Sequence, residues 1–189
     1  MTDQNAFLER TIKALEHANI PYMISGSIGS SFHGQPRATN DADIVIDPTA
    51  QQIAAFIESL GPDCYLSKEA AQQAIENRSM FNVIDIKLGY KADFIICKDR
   101  PYSRLEFSRR KHANFLGLDV YVLSPEDSIL SKLEWSKGRQ SETQYKDALG
   151  VLMTQKDTLD FDYLNKWAKE LGVDDALNNL LKEIASKDS

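Results

Sequence analysis

The spacing of apolar residues changes along this chain, and the change separates two parts. Near the N-terminus, Leu8, Ile12 and Leu15 recur at helical spacing and predict an amphipathic helix over residues 4–18. From residue 124 onward, leucines recur among charged residues without any β-rich run, so the last third of the chain is predicted to be helical. The strands are therefore expected between these two regions.

Short apolar runs bounded by turn residues predict those strands. They cover residues 22–25, 41–47, 80–86, 91–97 and 115–122, and the helices predicted between them cover residues 28–33, 48–59 and 67–78. Leu88-Gly89 separates two β-branched runs and predicts an antiparallel hairpin. Asp47 followed by Pro48 predicts a helix cap and the first helical position. The expected fold class is α/β (α+β): a mixed β-sheet flanked by helices over residues 1–123, with a C-terminal helical subdomain, residues 124–189, packed on it.

Composition narrows the class of protein. The chain has 42% hydrophobic and 26% charged residues, with no apolar run long enough to cross a bilayer, so no membrane partner is expected. The first ten residues do not resemble a secretory signal, which predicts a cytoplasmic protein. Cys64 and Cys97 are too few for a zinc cluster or a disulfide framework and are interpreted as buried thiols. The net charge of -6 argues against indiscriminate binding to nucleic acid.

Residues 98–112 are a local exception to the acidic composition, with six Lys or Arg against two acids. Two interpretations stay open for this segment: a patch that faces phosphate, or a solvated loop.

Three aspartates carry the candidate chemistry. Residues two apart in a strand point to the same side, so Asp41 and Asp43 are expected to present carboxylates about 7 Å apart on one face. Asp93 recurs within the apolar run of a later strand and supplies a third acid if that strand lies beside the first. Carboxylates held close together repel, and Mg²⁺ or Mn²⁺ relieves the repulsion because hard cations prefer oxygen ligands. The pattern predicts a divalent metal site for phosphoryl chemistry.

The glycine turn ahead of these acids fits the same chemistry. Gly26-Ser27 follows a predicted strand and opens a helix, where exposed backbone N–H groups attract phosphate. Lys91 has the parity of Asp93, so its ammonium group is expected either to meet a phosphate or to pair with the nearby acids. Arg37 and Thr39, just before the acids, are expected to line the pocket or to shape the loop.

The alternatives to this metal site also come from the sequence. Asp85 competes with Asp93 for the third position, and the acids together would otherwise form a solvated strand edge. A second Asp-x-Asp, Asp160 to Asp162, is interpreted as capping at a helix start without catalytic meaning.

The spacing of these motifs resembles the DNA polymerase beta-like nucleotidyltransferase superfamily. Gly26-Ser27, thirteen further residues, Asp41-x-Asp43 and then Lys91-x-Asp93 carry that resemblance. The segments SPEDSILSKL (124–133) and KDALGVL (146–152) are similar to the AbiE-type toxin branch, the abortive-infection nucleotidyltransferases. That branch has a Gln-x-x-x-Lys pattern before an Asp-x-x-x-apolar-Leu pattern. Lys132 and Asp147 fit these patterns, whereas Ser128 stands where the glutamine would be.

The resemblance implies a specific activity. It implies Mg²⁺-dependent transfer of a nucleoside monophosphate from a nucleoside triphosphate to a hydroxyl acceptor on RNA, a protein or a small molecule. It also implies that Asp41, Asp43 and Asp93 are catalytic and hold the metal, and that Lys132 and Asp147 join Gly26, Ser27, Lys91, Arg37 and Thr39 in nucleotide binding. An antitoxin-like protein partner is a further expectation. A second function stays open, a catalytically silent nucleotide-binding or regulatory module, because Ser128 departs from the family pattern.

Overall fold

The computed structural model describes residues 3–137 and 141–187. The helices of these residues are α1 (Asp3–His17), α2 (Gly26–His33), α3 (Ala50–Ser59), α4 (Lys68–Asn77), α5 (Pro101–Ser108), α6 (Pro125–Ser136), α7 (Glu142–Gln155), α8 (Phe161–Leu171) and α9 (Asp174–Lys187). The strands are β1 (Tyr22–Ile24), β2 (Asp41–Ile46), β3 (Cys64–Tyr65), β4 (Met80–Asp85), β5 (Lys91–Ile96), β6 (Lys111–Phe115) and β7 (Leu118–Val122).

The chain divides into two compact units. The first comprises the described residues of 1–25 and 38–123, and the second those of 26–37 and 124–189. Residues 26–37, which the sequence prediction assigned to the first domain, therefore group with the C-terminal helices.

The strands of the first unit form one mixed sheet in the order β3-β4-β5-β2-β1-β7-β6. The β2–β5 and β1–β7 pairs are parallel, and the other neighbouring pairs are antiparallel. The predicted hairpin of β4 and β5 is confirmed. The predicted fold class, a mixed sheet with flanking helices and a helical C-terminal region, is confirmed as well.

One face of the sheet is apolar because β2 and β5 alternate in register. Ile44 pairs with Phe94, and both side chains are fully buried. Phe94 stacks on Phe81 of β4 with ring centroids 5.1 Å apart and meets Phe56 of α3 edge-on at 5.1 Å. Aromatic pairs in these arrangements stabilise a core beyond the effect of their buried area. This packing fixes which face of β2 and β5 is left for polar residues.

The other face carries a second, smaller apolar cluster. Met23, Cys97, Phe107 and Leu123 pack together there, and Val45 of β2 packs against them. Phe107 belongs to α5, so this helix lies on the face that Val45 shares, by strand alternation, with Asp41 and Asp43. One end of that face is covered by an apolar cluster, and the acids lie at the other end.

Three predicted local features are wrong. Asp47 does not cap α3. Instead the Thr49 side chain accepts from the backbone N–H of Gln52, and the Gln52 side chain returns to the Thr49 backbone in a capping box. Of the two interpretations of residues 98–112, the solvated loop is also wrong, because the segment forms α5 and the start of β6. The single strand predicted over residues 115–122 is in fact the β6–β7 hairpin, which turns through Leu116 and Gly117, both with positive φ.

The second unit, described by itself, is a set of packed helices. Helices α6 and α7 pack against each other and both contact α2, while α8 contacts α6 and α9. Its interior includes Ile129, Leu130, Val151, Leu164 and Leu180, all fully buried. Asp160 caps α8 by accepting from the backbone N–H of Tyr163 at 2.9 Å, which confirms the capping prediction. No helix in the described part of the chain is both long enough and apolar enough to span a membrane.

A close approach within the second unit gives a stability prediction. A Cβ added at Gly34 would lie 2.7 Å from the Val151 backbone nitrogen and 2.8 Å from the Gly150 carbonyl carbon. Backbone atoms cannot turn aside as a side chain can, so Gly34→Ala is expected to lower the free energy of unfolding by about 2 kcal/mol. Denaturant unfolding of the whole chain measures this change.

Gly150→Ala is the matched control for that substitution. Its added Cβ would come no nearer than 3.4 Å to any atom outside its own helix, and alanine is favoured over glycine in helices by about 1 kcal/mol. This variant should equal or exceed the wild type in stability. Equal denaturation midpoints for the two variants would contradict the packing argument.

Candidate functional site

The register of β2 against β5 places the three predicted aspartates on one side of the sheet. Asp41 pairs with Lys91, and Asp43 pairs with Asp93, in parallel strands. Residues at the same position in neighbouring strands point to the same side, with their Cα atoms about 4.8 Å apart. The three carboxylates and Lys91 therefore share one face, as the sequence predicted.

The acids differ in exposure along that face. The side chain of Asp41 is 53% exposed at the start of β2, whereas the side chain of Asp93 is 13% exposed. Asn82 of β4 pairs with Asp93 on its other side and shares the same face. Asn82 was not predicted from the sequence. The predicted antiparallel hairpin of β4 and β5, together with the alternation of side chains along β4, could have placed it on this face.

Asp85, the alternative third acid, lies on the other face. Its strand alternates so that Phe81, Val83 and Asp85 are buried, and Phe81 pairs with Phe94. Its carboxylate binds Arg10 at 2.5 Å and accepts two turn N–H groups, from Lys87 and Leu88, each at 2.9 Å. Burial alone would raise the pKa of Asp85, but the Leu88 N–H and the Arg10 guanidinium outweigh it, and the pKa is lowered. Asp85 has a structural role.

Lys91 forms ion pairs with two of the three acids. Its Nζ lies 2.9 Å from Asp93 Oδ2 and 3.8 Å from Asp41 Oδ2. The hydrogen bond to Asp93 is the main reason that the pKa of Lys91 is raised, and the charges of Asp93 and Asp41 add to it. Of the two roles open to Lys91 from the sequence, the structure shows the ion pair.

The residues of this face fit a hard divalent cation. Asp93 Oδ1 is buried and has no hydrogen-bond partner among the described residues, although its second oxygen binds Lys91. A buried carboxylate oxygen without a partner is costly, and a cation would satisfy it. Over residues 3–137 and 141–187, no group of three acidic, histidine or cysteine side chains is already arranged to hold a metal ion. The carboxylate oxygens of this face are suitable ligands for a divalent cation. In this structure the Lys91 ammonium contacts two of the three carboxylates.

Backbone contacts fix the strand that carries two of these acids. The backbone N–H of Ser25 donates to the Asp43 carbonyl at 2.8 Å, and the Ser25 hydroxyl donates to the same carbonyl at 3.3 Å. The hydroxyl of the half-buried Thr39 donates to the Asp41 carbonyl at 3.1 Å, so Thr39 shapes the entry to β2. These bonds hold the main chain of β2 and so fix the face on which the Asp41 and Asp43 side chains lie.

The helical unit contains a separate polar cluster around Asp147 of α7. The Lys132 ammonium lies 2.8 Å from Asp147 Oδ2, and Arg37 Nε lies 3.0 Å from Asp147 Oδ1. Arg37 also donates to the hydroxyl of Ser27. The side chains of Lys132 and Asp147 are only 6% and 7% exposed. Burial would raise the pKa of Asp147, but the hydrogen bonds from Arg37 and Lys132 prevail and lower it.

The start of α2 belongs to this unit as well. So does Ser128, which stands where the family pattern has a glutamine. Gly26 has a φ of 58°, the left-handed region that favours glycine, and the helix begins there. Ser128, at the position of the family glutamine, is 1% exposed, and its hydroxyl has no hydrogen-bond partner within the described ranges. A buried serine there cannot reproduce the reach of a glutamine side chain.

Several solved structures share this fold. The antibiotic-resistance factor ANT(2'')-Ia in complex with adenylyl-2''-tobramycin matches over 90% of this chain and 97% of its own, at 14% identity and a TM-score of 0.60. An antigenic nucleotidyltransferase-like protein from Paracoccidioides brasiliensis matches over 97% and 90%, at 17% identity and a TM-score of 0.57. The lincosamide antibiotic adenylyltransferase LnuA, bound to lincomycin, matches over 80% and 96%, at 15% identity and a TM-score of 0.51.

These similarities establish the nucleotidyltransferase fold for this chain. At such identities they establish the fold alone, and they do not separate the AbiE-type branch from others. No protein-family model and no curated protein matches the sequence.

Proposed function

We propose that this protein is a metal-dependent nucleotidyltransferase that moves a nucleoside monophosphate from a nucleoside triphosphate to a hydroxyl acceptor. The observation that carries the proposal is the parallel register of Asp43 with Asp93, which puts three carboxylates on one face of the sheet. The fold shared with adenylyltransferases supports it. The resident cation would be Mg²⁺ or Mn²⁺, held by Asp41, Asp43 and Asp93.

In this proposal the carboxylates supply the fixed charge of the reaction site. When bound, the cation supplies Lewis acidity toward the phosphate and the acceptor hydroxyl. Asp93 is buried and held by its strand, so it gives an immobile oxygen, while the more exposed Asp41 lies where solvent and substrate enter. The Lys91 ammonium neutralises part of the charge that a triphosphate brings.

The transfer forms one bond and breaks one. The acceptor oxygen bonds to the α-phosphorus, the bond from that phosphorus to the bridging oxygen breaks, and pyrophosphate leaves. The acceptor gives up its hydroxyl proton to solvent. Nucleotide contacts by Gly26, Ser27, Arg37, Thr39, Lys132 and Asp147 stay a prediction, which substitutions in each unit test separately.

A panel assay tests this function. The chain is incubated with each of the four nucleoside triphosphates, labelled at the α-phosphate, in Mg²⁺ or Mn²⁺. The acceptors are tRNA, the chain itself, and two small molecules suggested by solved structures of this fold: tobramycin, whose adenylyl form is bound in one of them, and lincomycin, which is bound in another. Label transferred to any acceptor by the wild type and lost in Asp43→Asn supports the enzyme. Triphosphate binding without pyrophosphate release for any acceptor would instead support the catalytically silent module, to which the buried Ser128 lends weight.

The AbiE-type resemblance of residues 124–152 supports a narrower proposal, a cytoplasmic toxin with an antitoxin-like protein partner. Induced expression of the wild type is then expected to arrest bacterial growth, and Asp43→Asn is expected to relieve the arrest. If growth is unchanged although the expressed protein transfers nucleotide, the toxin proposal is contradicted and the activity has another role.

A further inference from the structure

The acid-bearing face holds three carboxylates, those of Asp41, Asp43 and Asp93, together with the ammonium of Lys91. This ammonium contacts the carboxylates of Asp93 and Asp41. The lysine therefore occupies a position where a divalent cation would bind, since both are attracted by the same carboxylates.

The lysine contacts the oxygens that a metal would use. It binds Asp93 Oδ2 at 2.9 Å and approaches Asp41 Oδ2 to 3.8 Å, while Asp93 Oδ1 stays without a partner among the described residues. One ammonium therefore satisfies only part of this donor set. A cation held by Asp93 and Asp41 would have to displace it.

We propose that Lys91 is an internal counter-ion that holds the metal-free site together and competes with the first divalent cation for Asp93 and Asp41. The inference rests on the proposed function, because it assigns regulation to the same metal site. Lys91 has the mobility that this role needs, since its side chain is 34% exposed on a flexible four-carbon stem, whereas Asp93 is nearly buried.

Competition of this kind couples metal binding to nucleotide binding. The ammonium that leaves the carboxylates finds its next partner in the phosphates of a triphosphate, so each ligand favours the entry of the other. In the absence of nucleotide, the lysine keeps the affinity for metal low. The site is thereby protected from filling with metal before substrate is present.

The test is a titration of the nucleotide-free, full-length protein with Mn²⁺, followed by electron paramagnetic resonance and by calorimetry. Lys91→Met removes the competing charge and keeps the length of the stem. It is expected to bind Mn²⁺ about tenfold more tightly than the wild type, because a positive charge that competes for the carboxylates has been removed. In EDTA the same variant is expected to melt at a lower temperature, and added Mn²⁺ should raise its Tm by more than it raises that of the wild type.

Two further variants separate competition from a general charge effect. Lys87→Met removes one positive charge from the same hairpin, but Lys87 pairs with Asp63 at 2.9 Å and is well exposed, so its Mn²⁺ affinity should match the wild type. Lys91→Arg keeps the charge and should bind Mn²⁺ as weakly as the wild type.

The outcomes test the counter-ion role of Lys91 separately from the proposed metal-dependent enzyme. Equal or weaker Mn²⁺ affinity in Lys91→Met overturns the counter-ion role and leaves the proposed metal site standing. No Mn²⁺ binding by any variant overturns both. Tight Mn²⁺ binding in Lys91→Met, together with no transfer to any acceptor by the wild type, keeps the counter-ion role and overturns the proposed enzyme.

Discussion

Replacing Asp93 with asparagine is expected to reduce nucleotidyl transfer by at least about a thousandfold while the protein stays folded. The amide keeps the shape of the side chain and can still accept from Lys91, but it removes the negative charge that would hold the cation. A thousandfold loss corresponds to about 4 kcal/mol of transition-state stabilisation, the scale on which metal ions act. Initial rates with labelled triphosphate measure the loss, and the unfolding midpoint measures the fold.

Asp85→Asn is the matched control for that substitution. Asp85 is buried eight positions earlier in the chain but lies on the opposite face, bound to Arg10 and to two turn N–H groups. Its replacement should lower the free energy of unfolding by about 2–3 kcal/mol, since a charged hydrogen-bond network is weakened. The folded fraction should transfer nucleotide at the wild-type rate. Loss of activity in Asp85→Asn without loss of stability would reverse the two assignments.

Strand alternation predicts that Asp41 and Asp43 lie on one face of β2. It does not predict which strand pairs with β2. The sequence shows that Asp41 and Asp43 share a side, because that follows from the geometry of one strand. Pairing with β5 joins residues 50 positions apart, and β5 is not the next strand along the chain. Within the sequence, only the resemblance of the motifs to a known superfamily indicates that β5 is this neighbour.

The wrong cap shows how distant partners override a local pattern. Asp47 before Pro48 has the local chemistry of a helix cap. In the structure its carboxylate binds Arg104 at 2.5 Å and Arg78 at 3.4 Å, residues 57 and 31 positions away. Thr49 is then left to cap α3. No local sequence pattern indicates such distant partners, so the sequence alone could not decide whether Asp47 or Thr49 caps α3.

The loop interpretation of the basic segment, residues 98–112, was wrong for a related reason. Its charges suggested a loop or a phosphate-facing patch, yet Tyr102, Ser103 and Phe107 form a buried stripe at helical spacing. Two apolar positions within eight residues are too few to outweigh the charges when only the sequence is known. β3 was missed because a strand of two residues has no period at all.

In the helical unit, Asp147→Ala is expected to lower the free energy of unfolding by about 3–5 kcal/mol. The substitution leaves the Lys132 ammonium, 6% exposed, without the carboxylate 2.8 Å away, and a buried charge without its partner is among the most destabilising changes known in proteins. Arg37 loses the same carboxylate but is 36% exposed and can turn to water. Urea denaturation at neutral pH measures the loss.

A double variant tests whether the lost partner is the cause. Lys132→Met combined with Asp147→Leu replaces the buried pair with apolar side chains of similar volume, and it should recover most of the stability that Asp147→Ala loses. Both residues also belong to the predicted nucleotide contacts, so this variant is expected to be stable and still inactive. Stability that stays low in the double variant would show that the shape of the cluster, and not its charge, holds the helices.

The pH dependence of stability follows from the same carboxylate. The pKa of Asp147 is lower in the folded chain than in the unfolded one, because Arg37 and Lys132 outweigh burial. Its contribution is therefore fully present above the unfolded pKa of about 3.9 and is lost as pH falls through the lower, folded value. Acid titration of the free energy of unfolding should show a steeper decline in the wild type than in the Lys132→Met, Asp147→Leu variant. Parallel curves for the two proteins would mean that Asp147 ionises alike in the folded and unfolded chains, and the buried ion pair would then not be the source of this stability.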